Sequence, residues 1–449
     1  MAQPMASFNT VSLAILTRLH LYIGIFIAPF IFLAALSGTL YVLSPTLEKI
    51  MYADLLYPES QGNNTLLSEQ IAVAMRIIEP NTPISAVRPA ARVGESTRVI
   101  FASPDSPAGE KNTVFVDPVA LKVLGVLPTY GTSGALPLRT WIDKLHSGAL
   151  FGEAGRTYSE LAASWMWVAA VGGIAMWGHQ RRRKTSTSSA QHIRRRWHII
   201  IGWCAFPLML FISATGLTWS GGAGDNITLL RNALSWNTPQ LTTTLNSSEA
   251  DEEHCHHHCH HDMTGDHTTT SLWRYDAVLG HARNTGITAD KVEIIPGDGL
   301  KRAWSISEID RSWPTQVDAI AIDENRMQVV DKIEFAHFSF VAKLIRWGVD
   351  AHMGILFGLP NQLILAVFGA GLCLMIIFGY QMWLLRYPVN KRLPGKGTLT
   401  ASFLLLSNRG KLLWLSIFIP VSLFLPLTGG GVAFFLALDV LLWRCRHRI

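Results

Sequence analysis

The sequence predicts an α-helical integral membrane bundle of four core spans plus a C-terminal hairpin, with two small external α+β modules, built as a tandem parallel repeat. Three observations predict it. Of the 449 residues 49% are apolar and only 16% charged, and the apolar ones gather in blocks, which is the composition of a membrane protein. Trp141–Gly152 and Trp347–Gly358 both read W-x4-H-x-G-x-L-F-G, each ahead of a long apolar run. A second pair of segments, each reading R-x-H-x3-G, begins at Arg18 and Arg196.

Crossing a hydrocarbon core about 30 Å thick takes about 20 apolar residues. Leu19–Leu43, Tyr158–Trp177, His198–Trp219 and Leu359–Leu385 meet that requirement. With their flanking motifs the spans are placed at 15–44, 141–178, 198–219 and 347–386. The stretch 411–443 is apolar but interrupted by Pro420, Pro426 and Gly429–Gly431, so it reads as a hairpin of two shorter spans, six in all. The first run exceeds the apolar region of a signal peptide, about 7–15 residues, and no small-residue cleavage motif follows it, so it is kept as a helix.

Orientation follows from the short loops. The loop 179–197 holds seven Lys/Arg and no acid, and Arg386–Lys411 is basic too. The positive-inside rule puts these loops and both termini in the cytoplasm, leaving 45–140 and 220–346 outside. The net charge of +6 is largely this topological signal, so it does not argue for nucleic-acid binding.

Each external segment carries a helical pattern followed by alternating, strand-like runs. In the first these are Leu67–Ile78, then Ile84–Arg88, Arg98–Ala102 and Thr113–Val116. In the second they are Leu272–Ala282, then Lys291–Ile295, Ala303–Ile306 and Val317–Ile322. Arg18, His20, Gly24, Pro29 and Gly38 recur 178 positions later, whereas His146, Gly173 and Trp177 recur 206 positions later. Both halves enter from the same side, as in a parallel repeat about the membrane normal. The excess of 28 residues is an insertion, assigned to about 242–270, polar and low in complexity.

Histidine in or beside a span is costly unless it is bound or paired, and so marks a site. A helix of about 24 residues rises about 36 Å, so His20 cannot share a centre with His146. Pairing must run between halves, His20 with His198 and His146 with His352. Two facing imidazoles at each surface suit haem b with two axial histidines, two haems in all, within a helical bundle. The plainer reading is four satisfied interfacial histidines, and the matched pairs weigh against it. His337 and His179 are alternative ligands without counterparts. Gly24, Gly202, Gly148 and Gly354, a turn from the histidines, are expected to let a flat macrocycle approach the backbone.

The insertion carries His254-Cys255-His256-His257-His258-Cys259-His260-His261. These are ligands for Zn, Cu or Ni, although the spacing matches no closed structural site. Asp439 is expected to pair with Arg444 at a helix end. Five cysteines, two of them in spans and one in the cytoplasmic tail, do not make a disulfide framework. No dinucleotide or P-loop fingerprint occurs, so an electron donor would be a quinol or another redox protein. Electron transfer of this outer-sphere kind needs no general acid or base.

On R-L-H20-x3-G24 with Ser37-Gly38, R-W-H198-x3-G202 with Thr215-Gly216, and the two H-x-G-x-L-F-G motifs, the chain resembles the PepSY-associated transmembrane family. That group includes iron-regulated inner-membrane proteins, uptake factors and ferric-siderophore reductases of Gram-negative bacteria. The resemblance covers nearly all of residues 15–390 and implies PepSY-like periplasmic modules and a four-helix, haem-bearing core in the cytoplasmic membrane. It also implies a periplasmic ferric siderophore or similar metal chelate as substrate. The His/Cys insertion departs from the family pattern and leaves iron and copper both open. Two rivals stand beside the reductase: a transporter or uptake factor without redox activity, and a sensor or accessory protein built on the external modules.

Overall fold

The computed structural model describes residues 8–103, 106–180, 189–245, 271–298, 301–386 and 398–447. The first span is a continuous helical rod made of α1 (Phe8–Tyr22), a π-helical turn (Ile23–Ile27) and α2 (Ala28–Met51). Pro29 lies inside this rod, just after the π-helical turn, and its missing N–H leaves the Ile25 carbonyl to accept from the Tyr380 hydroxyl at 3.0 Å. A short α3 (Ala53–Leu56) leads into α4 (Leu67–Met75) and strands β1 (Ile84–Arg88), β2 (Thr97–Phe101), β3 (Glu110–Asp117) and β4 (Lys122–Tyr130). Helix α5 (Pro137–Ser147) then returns to the second span, α6 (Gly152–Gln180).

The same order follows again. The third span is α7 (Ser189–Leu217), followed by α8 (Gly222–Ala233), α9 (Trp273–Asn284) and strands β5 (Val292–Ile295), β6 (Trp304–Glu308), β7 (Ala319–Asp323) and β8 (Gln328–Ile333). Helix α10 (Phe340–His352) leads to the fourth span, α11 (Leu359–Arg386), and then α12 (Leu399–Leu404), α13 (Asn408–Phe424) and α14 (Pro426–His447) close the chain.

Among the described residues, four helices are long and apolar enough to cross a membrane: Phe8–Met51, Ala154–His179, Gln191–Leu217 and Leu359–Leu385. These are the four expected core spans. Helices α13 and α14 do form a hairpin, broken at Leu425-Pro426, but both are shorter in apolar length. The spans bury one face in a shared core that includes Leu19, Ile23, Trp165, Met209 and Leu372. Residues such as Val367 (73% exposed) point outward, as lipid-facing positions do.

The strands differ from the expectation of two modules. All eight belong to one antiparallel sheet of order β4-β3-β2-β1-β5-β6-β7-β8, with β1 and β5 paired at the centre through Val87 and Ile294. Each four-stranded meander alone would leave an apolar edge strand open, and joining the two closes both edges. Arg88 on β1 binds Glu293 on β5 across this seam at 2.6 Å. Helices α4 and α9 cover one sheet face, and Ile71, Val87, Val99, Val278, Ile294 and Ile306 make a single core there. Asp276 of α9 accepts from the N–H groups of Leu67 and Ser68 at 2.7 and 3.0 Å, capping α4 from a different helix. On the opposite face, turned toward the spans, Phe115 packs with Leu56 of α3 and with Leu136, just ahead of α5.

Strands β4 and β8 have no clear signal in the sequence. Both are outer strands; β8 has no buried residue, and β4 contains Gly125 and Pro128. An outer strand buries too little to need the alternation that marks an inner one.

Candidate functional site

Both W-x4-H-x-G-x-L-F-G motifs fold alike. Each supplies a short amphipathic helix, α5 or α10, that ends at its histidine, and a glycine turn that hands the chain to a span. Pro137 opens α5, and the Ser339 side chain caps α10 by accepting from Ala342 N–H. Gly148 and Gly354 have φ of +84° and +73°, a conformation costly for any residue with a Cβ. A Cβ at Gly148 would also collide with the carbonyl of Gly155. These two glycines therefore turn the chain from each short helix toward its span.

His20 and His198 stand ring to ring, and His352 lies near enough to His146 to feel its charge. His20 and His198 lie at the end of the bundle away from the sheet, with ring centres 6.5 Å apart and planes at 88°. His20 donates from Nδ1 to the carbonyl of Ala169 at 3.2 Å, and His198 from Nδ1 to that of Met375 at 2.9 Å. A carbonyl can only accept, so the proton of each ring is fixed on Nδ1 and Nε2 keeps its lone pair.

The other pair lies at the sheet end. His146 donates from Nδ1 to the carbonyl of Ala34 at 3.0 Å, with the Ser37 hydroxyl at 3.1 Å. His352 Nδ1 lies 2.6 Å from Thr215 Oγ1. The Thr215 hydroxyl already donates to the Phe211 carbonyl at 2.8 Å, so here too the imidazole is the donor. Burial holds His146 below its ordinary range. Burial first, and then the neighbouring His146, holds His352 down to about 3. Both are neutral imidazoles, the form that binds metal.

Each ring also packs on a glycine of a neighbouring helix. A Cβ would come within 3.5 Å of His20 at Gly173, 3.6 Å of His198 at Gly379, 3.0 Å of His146 at Gly38 and 3.9 Å of His352 at Gly216. Gly24 and Gly202, by contrast, do not face a histidine ring. Around Gly24 a Cβ would meet nothing within 4 Å, and at Gly202 it would meet the Met375 sulfur. Sequence reasoning noted Ser37-Gly38, Thr215-Gly216, Gly173 and Gly379 as recurring but gave them no role. Their recurrence at the same separations as the histidines was the available signal. The Ala169 and Met375 carbonyls carry no signal of their own.

The geometry suits an axial pair. Two metal–nitrogen bonds of about 2 Å, plus about 1.1 Å from each nitrogen to its ring centre, would separate two imidazoles that held one metal between them by about 6.2 Å. The His20–His198 separation of 6.5 Å matches that, and Nδ1 hydrogen bonds are the usual outer support of a ligating histidine.

The remaining candidates stand apart. His337 is exposed and pairs with Glu334 at 3.1 Å, and His179 is exposed near the end of α6. His254, Cys255, His256, His257, His258, Cys259, His260 and His261 lie outside the described residues. Asp439 is no partner of a helix-end arginine as expected. It is fully buried and accepts from the Tyr22 hydroxyl (2.7 Å), Leu399 N–H (2.9 Å), Thr400 N–H (2.8 Å) and the Thr400 hydroxyl (2.9 Å). It ties α14 and α12 to the first span two residues beyond His20.

Residues 17–386 match the family described as the PepSY-associated TM region. No curated protein matches the sequence.

Proposed function

The chain belongs to the PepSY-associated transmembrane family, and from that premise we propose that it carries electrons across the bacterial inner membrane to a periplasmic metal chelate. The substrate class is a ferric siderophore or a similar chelate. In this reading the two halves are tandem parallel repeats, the sheet is periplasmic and the termini are cytoplasmic. The basic loops and the matched separations of the motifs support that orientation. The hairpin α13–α14 completes the membrane part against the first and second spans, supported by Phe435, which shares their core.

The observation that carries the proposal is the His20–His198 pair, at axial-ligand separation with both Nδ1 protons engaged. His20 and His198 would hold one haem b and His146 and His352 a second. Haem supplies a reversible one-electron iron couple when bound. The chain's own residues orient the imidazoles through Nδ1, keep Nε2 available and surround both sites with apolar side chains. Low polarity and the hydrogen bonds to the ligands set the potential of such a centre. Reduction from Fe³⁺ to Fe²⁺ softens the metal and weakens its hold on hard oxygen ligands, which would release it outside. The donor is a quinol or a redox protein, and Zn, Cu or Ni binding by residues 254–261 is a separate proposal, tested by metal analysis of a variant lacking the insertion.

The test is a single-turnover experiment. Protein reduced with dithionite and freed of excess reductant is mixed with a ferric trihydroxamate chelate plus a ferrous trap. Haem oxidation and ferrous-trap colour should rise together, one electron for each iron. Haem that stays reduced would contradict the reading.

A further inference from the structure

Arginine belongs in partly buried positions when carboxylates or carbonyls occupy its five donors. On the sheet face turned toward the membrane helices, Arg88 follows this rule, binding Glu293 at 2.6 Å and the Thr132 carbonyl at 2.7 Å. Arg139 of α5 pairs with Glu48 at 3.4 Å. Arg98 of β2 does not follow it. Its guanidinium lies over the Phe115 ring, 5.6 Å from the centroid, and has no hydrogen-bond acceptor or ion-pair partner among the described residues. Burial, then Arg88 and Arg139, hold its pKa down to about 10, and those two arginines act on it more strongly than Glu95 and Glu48. Arg98 is only partly buried, and none of its guanidinium nitrogens is fully enclosed without a partner, so its donor fork stays open to an arriving anion.

The position of Arg98 connects it to the histidine pair at the sheet end. Arg139 stands two turns before His146 on α5. Arg139 and Arg311 both lie close enough to Tyr41 to act on its hydroxyl, with Asp143 and Glu48 alongside. Tyr41 is one turn beyond Ser37 and Gly38, which touch His146. Arg311 in turn binds Asp350, two residues before His352. Basic groups thus mark a path from the sheet to the histidines.

We propose that Arg98, flanked by Arg88 and Arg139, docks the anionic oxygens of a metal chelate at the seam between the sheet and the spans, above His146 and His352. The chelate class is one whose carboxylate or catecholate oxygens give it net negative charge, the groups a guanidinium fork recognises best. That the docked anion is a chelate rests on the reductase reading; the anion site itself does not.

The experiment measures binding without turnover, by quenching of tryptophan fluorescence in the full chain, with a ferric tricatecholate chelate and a neutral ferric trihydroxamate chelate as probes. Wild-type protein should bind the tricatecholate chelate more weakly as salt rises from 50 to about 500 mM, with the neutral probe little changed. Arg98→Gln should weaken the anionic probe at least tenfold and the neutral one less than twofold, and Arg98→Lys should recover most of the loss. Salt-independent binding in the wild type, which needs no variant to fold, would overturn the proposal. So would equal losses for both probes in a variant with the wild-type haem spectrum, or an acidic peptide that outcompetes the chelate. A colourless protein that still binds the tricatecholate chelate in this way would keep the anion site and remove the reductase reading.

Discussion

The two histidine pairs offer the same imidazole donors but are held by different parts of the molecule. His20 and His198 sit on spans and donate to backbone carbonyls of the spans they pack against. That site is internal to the bundle. His146 and His352 sit on α5 and α10, which extend from the sheet, and reach back to the Ala34 carbonyl and the Thr215 hydroxyl on spans. That site exists only where the sheet and the bundle meet. The contrast teaches that the sheet is part of how the second site is built, so damage to the sheet should be felt at one pair and not at the other.

The sharpest way to separate them is Asp350→Asn. Asp350 is fully buried and binds Arg311 at 2.5 Å and Arg346 at 2.9 Å. Stripping the charge from a buried pair costs about 3 kcal/mol or more, and here it would loosen α10 two residues before His352. Haem bound at the sheet-end pair should fall several-fold and the other haem should hold, as read by pyridine haemochrome content.

A smaller effect is expected from Thr215→Val, which removes the acceptor of His352 Nδ1. Losing such outer support costs about tenfold or more in affinity, so one haem should dissociate about tenfold faster to an apo-globin scavenger. Ser37→Ala should do less, because the Ala34 carbonyl still accepts from His146. Gly379→Leu gives the reverse contrast, displacing the His198 ring and disturbing only the pair within the bundle. The smallest effect belongs to Lys291→Ala, just ahead of β5. Lys291 is 46% exposed and its ion pair with Asp310 is long, at 3.3 Å, so stability should change by less than about 0.5 kcal/mol in a denaturant titration.

The histidines were legible because recurrence at fixed separations constrains depth, and depth decides which imidazoles can meet. The spans were legible from length and apolarity, and the inner strands from alternation. The single eight-stranded sheet was not, because two separate meanders and one joined sheet have the same alternation; only the pairing of Val87 with Ile294 decides between them. The positive φ of Gly148 and Gly354 was not legible, because recurrence shows that a glycine matters without showing whether its φ or its small size is needed. Asp439 was misread from its nearness in sequence to Arg444, whereas its partners Tyr22, Leu399 and Thr400 come from distant segments.

Haem stoichiometry tests the central claim most directly. Purified full-length protein should show a six-coordinate, low-spin haem spectrum with two haems per chain, and His352→Ala should retain one. A folded, colourless wild-type protein, or a His352→Ala variant that keeps both haems, would contradict the account.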